Sequence, residues 1–145
     1  LNLNKTRLIT LSACETGITD IRQSPDEYLG LPAGFLQAGT PAVISTLWAV
    51  NDLSTMLLME RFYCLHLKKE MAIPEALRQA QLWLRDVTAR ELAQRFADEE
   101  DALLSSTRMS INTASDYFTR FTNLDPEEKP FAHPYYWAAF TFSGA

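Results

Sequence analysis

Little in this sequence could bind a metal ion, a nucleic acid or a membrane. It holds two cysteines, Cys14 and Cys64, and two histidines, His66 and His133, and none of them lies in a Cys-x-x-Cys pair or a Cys/His cluster with ligand spacing. No metal or other cofactor is expected. Thiols this sparse fit a reducing, intracellular compartment, so a cytoplasmic location is expected. Thirteen Lys and Arg stand against eighteen Asp and Glu, for a net charge of -5, and the basic residues are scattered. Nucleic acids and anionic membrane surfaces call for clustered positive charge, so neither is an expected partner. No apolar run reaches the roughly 18 residues of a transmembrane helix. None of the five glycines builds a phosphate-cradling loop after a strand, which sets aside nucleotide binding. The sequence opens at Leu1 with neither an initiator methionine nor a charged, apolar leader, and is expected to be a piece of a longer polypeptide.

What is present is a core. At 145 residues and 47% hydrophobic content, the chain has the size of one domain. Residues 7–14 read as a buried strand, because Leu8-Ile9-Thr10-Leu11 is almost continuously apolar or β-branched. It ends on the polar turn Ser12-Ala13-Cys14-Glu15-Thr16-Gly17. In open parallel sheets reacting groups sit at the carboxyl ends of strands, which makes Cys14 a candidate nucleophile. A cysteine near a strand end also serves as a small buried hydrophobe, and spacing alone leaves both readings open. After a polar loop over residues 15–27, the pattern predicts a helix from about Glu27 to Ala38, stopped by Gly39 and Pro41. A second buried strand, Ala42 to Trp48, completes a βαβ unit.

A helix is expected from about Leu53 to Lys69, capped by Asp52 or Ser54 and apolar almost all round. Cys64 and His66 fall inside it, where structural roles are expected. Pro74 opens the next helix, with an apolar stripe through Ile73, Leu77, Ala80, Leu84 and Val87. Two further amphipathic helices are expected, from Ala89 to about Leu104 and from a Ser110 cap through Phe121. They form a helical insertion over residues 88–130, and the Asp98-Glu99-Glu100-Asp101 run marks a solvated face. The aromatic run from Tyr135 to Phe142 reads as a strand returning to the sheet.

Several separate stretches, in order, carry a resemblance. Leu11-Ser12-Ala13-Cys14-Glu15-Thr16-Gly17, Ala38-Gly39-Thr40-Pro41-Ala42-Val43-Ile44, Leu47-Trp48-Ala49-Val50-Asn51-Asp52, Ala76-Leu77-Arg78-Gln79-Ala80-Gln81 and His133-Pro134-Tyr135-Tyr136-Trp137 together resemble the C-terminal part of a CHAT domain. That family consists of caspase-like cysteine peptidase domains, often attached to tetratricopeptide repeats. The resemblance implies an α/β, caspase-like three-layer sandwich, a mostly parallel sheet with flanking helices. It places Cys14 at the nucleophile position and puts the catalytic His in a His-Gly motif on an earlier strand, expected upstream of residue 1 together with the fold's N-terminal strands. A Cys14–His133 dyad is the alternative inside this chain, against which stands the match of His133 to the terminal structural element.

The resemblance further implies a protein or peptide substrate and repeat domains in the same parent chain. Ser12 falls where caspase-type sequences carry the Gln of Gln-Ala-Cys, and Trp48 and Asp52 fall where the fold builds the wall of the substrate pocket. Many relatives cut after a basic residue, and the Asp52 carboxylate would hold Arg or Lys by a charge-assisted hydrogen bond. Without strands that precede it, the isolated chain would expose a sheet edge and is expected to self-associate. The competing function is a non-catalytic interaction or regulatory module on the same fold.

Overall fold

The computed structural model describes residues 3, 5–11, 30–103 and 111–144, with side chains omitted at 99–103 and 111–112. The chain divides into two compact units. One takes in residues 1–84 and 133–145, and the other residues 85–132.

The first unit is built on a three-stranded sheet in the order β1 (Ile9–Thr10), β2 (Ala42–Thr46), β3 (Phe140–Gly144). Every residue of β2 is buried, on both faces of the sheet, which is why its sequence is a continuous Ala-Val-Ile run instead of an alternating one. β1 pairs with it in parallel, Ile9 opposite Val43 and Thr10 opposite Ile44, and the Leu11 N–H donates to the Ile44 carbonyl at 2.8 Å. β3 runs antiparallel, with Ala42 opposite Gly144 and Thr46 opposite Phe140. The sheet is therefore mixed, where a mostly parallel one was expected. Gly144, at φ 151, closes the register, because a Cβ there would collide with the Pro41 carbonyl oxygen.

α1 (Leu31–Gln37) opens on Pro32 and ends as its sequence demands. Gly39 takes φ 99, its N–H donates to Leu36 and the Thr40 N–H donates to Phe35, the paired bonds of a Schellman stop. α2 (Asp52–Tyr63) continues into a π-helical turn over Cys64–Lys68. Leu53, Leu57, Leu58, Phe62 and Leu65 form its buried face. The helix, expected to be apolar almost all round, buries this face and leaves Tyr63 and Leu67 exposed. His66 is structural: its Nδ1–H donates to the Met71 carbonyl at 2.8 Å and its ring stacks on Phe62.

α3 (Ile73–Asp86) buries Leu77, Ala80 and Leu84 of the stripe expected from the sequence, together with Ala76, and Val87 just beyond it is buried too, while Ile73 is only half-buried. Beside that stripe, Gln81 donates through Nε2 to two backbone carbonyls, Trp137 at 3.0 Å and Phe140 at 2.9 Å. Replacing Gln81 with Leu should cost about 1–3 kcal/mol, because the two carbonyls lose their partner in a half-buried setting. Chemical denaturation of the single variant measures it.

The terminal segment departs from the expected strand. Residues 134–137 form a short helical turn, α6 (Pro134–Trp137), and only then does β3 begin. Proline at the first helical position fixes φ, and the His133 side chain accepts the Tyr135 N–H at 3.2 Å as an N-cap. These local signals override the strand preference of Tyr-Tyr-Trp.

The second unit pairs α4 (Ala89–Leu103) with α5 (Ile111–Thr122). A capping box starts α4: the Thr88 N–H donates to Glu91 Oε2 at 2.8 Å and the Glu91 N–H donates to Thr88 Oγ1 at 3.3 Å. Phe96, Phe121 and Phe131 are all buried, with Phe96 stacked on Phe121 at 5.8 Å and Phe131 edge-on to Phe121 at 6.2 Å. The loop after α5 returns to the start of α4, where the Ala89 N–H donates to Glu128 and the Arg90 N–H to Pro126. Asp86 is held down to about 2, first by the side-chain hydrogen bond from Arg85 and then by that from Lys129. That contribution is present above the ordinary carboxyl range and is lost as the pH falls toward 2.

Candidate functional site

The sequence places the expected site after β1 and β2, at the carboxyl edge of the parallel pair. β1 and β2 end on the same edge, at Thr10 and Thr46, because they run parallel and in register. Ser12 and Cys14 lie outside the described residues. Leu11, half-buried and laddered to Ile44, is the last described residue before them.

Trp48 and Asp52 occupy the segment that leaves the same edge after β2. The Leu47 N–H donates to the Ala139 carbonyl at 2.9 Å, and the half-buried Trp48 indole donates through Nε1 to the Tyr135 carbonyl at 3.0 Å. The segment is thus fastened at two points to the stretch that runs from α6 into β3. Tyr135 remains 43% exposed and meets Tyr136 edge-on at 5.3 Å, so an aromatic surface borders Trp48.

Asp52 is not the helix cap. Asn51 holds that position: its Oδ1 accepts the Ser54 N–H at 3.1 Å, and Ser54 Oγ donates back to the Asn51 carbonyl at 3.0 Å. The Asp52 carboxylate stands exposed in the first turn of α2, where the helix dipole favours negative charge. Among the described residues no ion pair occupies it.

Sequence reasoning missed Asn51, Gln81 and the link between Thr10 and Tyr63, whose hydroxyls share a 2.8 Å hydrogen bond. Asn51 was legible, since Asn, Asp and Ser at 51, 52 and 54 all suit a cap and only the first precedes the helix. The Thr10–Tyr63 bond joins positions 53 residues apart and leaves no local signal. Among the described residues no group of His, Cys, Asp and Glu side chains could hold a metal ion, and no helix is long and apolar enough to cross a membrane. Cys64 is a free, half-buried thiol in the π-helical turn. In the second unit, an open groove of about 290 Å³ runs beside Ala93, Phe118, Phe121 and Leu124, and Arg90 at its rim is paired with Glu127 at 2.8 Å.

A mixed sheet with a parallel pair of strands, and with a helix between them in the chain, makes this an α/β domain. The family model of the CHAT domain matches residues 1–145, the whole chain, and the chain belongs to that family. No curated protein and no solved structure matches it.

Proposed function

We propose that this chain is the nucleophile-bearing portion of a caspase-like cysteine endopeptidase, with Cys14 as the attacking thiol. Membership of the CHAT family carries the reading, and the course of β1 toward the carboxyl edge of the sheet supports it. On this reading the sheet belongs to a three-layer, caspase-like sandwich, and the helical insertion expected over residues 88–130 falls within the compact unit of residues 85–132.

The chemistry needs a base. His66 donates its Nδ1–H to Met71 in the π-helical turn and His133 caps α6, and the family resemblance assigns the role to neither of them but to the His of a His-Gly motif on an earlier strand. It takes the thiol proton; the thiolate attacks the scissile carbonyl, the C–N bond breaks and the amine leaves with that proton. Water then cleaves the thioester and frees the acid and the thiol. The developing oxyanion is held by backbone N–H groups, one of them from Cys14.

Ser12, Trp48 and Asp52 shape the pocket for the residue before the cut. The exposed Asp52 carboxylate suits Arg or Lys there, bound by a charge-assisted hydrogen bond. The substrate is a protein or peptide, and tetratricopeptide repeats in the same parent chain would present it. The outer edge of β1, which pairs only with β2 among the described residues, would let the isolated chain self-associate.

The experiment is cleavage of fluorogenic peptides by the full-length parent and its Cys14→Ala variant. Loss of the nucleophile should reduce kcat/KM by roughly 10³-fold or more with the thermal midpoint unchanged. An active Cys14→Ala protein would overturn the reading.

A further inference from the structure

We propose that the groove on the 85–132 unit is a docking surface for a basic amphipathic helix of a partner protein; the inference goes beyond the peptidase reading and needs nothing from it. α4 and α5 run antiparallel, since the loop after α5 returns to the start of α4 at the Ala89 and Arg90 amides. Ala93 on α4, Phe118 and Phe121 on α5, and Leu124 just beyond it line an open space of about 290 Å³. A pocket for a cofactor or metabolite spans roughly 300–1,000 Å³ and closes over most of its ligand. This groove is smaller than that and open, so it fits one or two apolar side chains of a longer partner. The seat between two antiparallel helices takes a third helix, whose anchors recur at i, i+3, i+4 and i+7.

Charge complementarity sets the sign of that partner. Residues 85–132 contain ten Asp and Glu against six Lys and Arg, so four of the chain's five net negative charges fall within them. The acids stand at two sides of the groove. On α4, the exposed Asp98 accepts a 2.8 Å hydrogen bond from Gln94, which lines it. At the loop end, the exposed Asp125 and Glu127 flank Pro126, another lining residue. Among the described lining residues Arg90 is the one cation, and Glu127 neutralises it at 2.8 Å, which leaves the rim with the negative charge of Asp98 and Asp125. Arg120 stands over the Phe121 ring at 5.8 Å but leaves α5 from the side away from Phe118 and Thr122, because successive helical residues turn by about 100°. A helix with Lys or Arg flanking its apolar anchors matches this rim, and an acidic one is repelled.

The probe is a fluorescent helical peptide of about 14 residues, with Leu at i, i+3, i+4 and i+7 and Lys at the other positions. Its binding to the full-length protein is followed by anisotropy, and a photoreactive leucine at one anchor maps the contact by mass spectrometry. The peptide should bind saturably and cross-link within residues 90–98 and 118–126. Replacing its Leu anchors with Ala should weaken binding by about tenfold or more, and replacing its Lys with Glu should abolish it. On the protein, the double variant Asp98→Lys, Glu127→Lys should weaken binding by about tenfold, and Thr122→Arg, which sets a cation on the α5 wall, should act in the same direction. All three positions are exposed, so the thermal midpoints should stay within about 4 °C of wild type. Absence of saturable binding would overturn the proposal. So would cross-links outside those two stretches, equal binding of the Ala or Glu peptide, or full binding to the charge-reversed variant.

Discussion

Replacing Phe121 with Ala is expected to destabilise the 85–132 unit by about 3–5 kcal/mol. Phe121 is 1% exposed, stacked on Phe96 and met edge-on by Phe131, so truncation removes a buried ring and breaks two aromatic pairs at once. The unit has fewer than about 50 residues. At the usual stability per residue, such a unit holds on the order of 2–7 kcal/mol, and little would remain. Phe121→Leu, which also loses both aromatic pairs but keeps a branched apolar side chain in the site, should cost less than Phe121→Ala. Hydrogen exchange measures both: amides of α4 and α5 should lose protection in Phe121→Ala while those of β2 and α2 keep theirs. Retained protection throughout would contradict the role given to the three phenylalanines, and simultaneous loss in β2 would contradict the division into two units.

Asp52→Asn in the full-length parent is expected to reduce kcat/KM for peptides with Arg or Lys before the cut by about 10–100-fold, the worth of a charge-assisted hydrogen bond. Peptides with a neutral residue there should be unaffected. The change is clean because the capping bonds of α2 belong to Asn51 and Ser54. What the helix loses is one first-turn charge, worth at most about 1 kcal/mol. Had Asp52 been the cap, a lost activity could have reflected a frayed helix. With Asn51 in that place, unchanged cleavage after Arg and Lys would show the pocket assignment to be wrong.

Elements whose signals are local and unopposed were legible. β2 reads as a strand buried on both faces because every residue in it is apolar or small, and α1 stops where Gly39 and Pro41 say it must. From Leu77 to Leu84 the stripe of α3 is the one its spacing predicts. Where two signals compete, the sequence misleads. Tyr135-Tyr136-Trp137 has strand-forming residues, yet the preceding His133-Pro134 caps and starts a helical turn, so β3 begins only at Phe140. Tertiary bonds escape sequence reading altogether. Gln81 looks like a polar interruption of a helix until its two carbonyl partners appear, and Thr10 and Tyr63 meet only after the βαβ crossover is made. Of the site itself, Trp48 and Asp52 are placed on the segment after β2, while Ser12 and Cys14 lie outside the described residues.

The identity of the nucleophile is the claim on which the rest depends, and one measurement reaches it directly. The full-length protein is treated with a peptidyl acyloxymethyl ketone carrying Arg before the electrophilic carbon, and the adduct is mapped by mass spectrometry. One equivalent should attach to Cys14, with none on Cys64, the half-buried thiol of the π-helical turn. Labelling of Cys64 instead, or equal labelling of both thiols at a rate no faster than that of a free thiol, would contradict it.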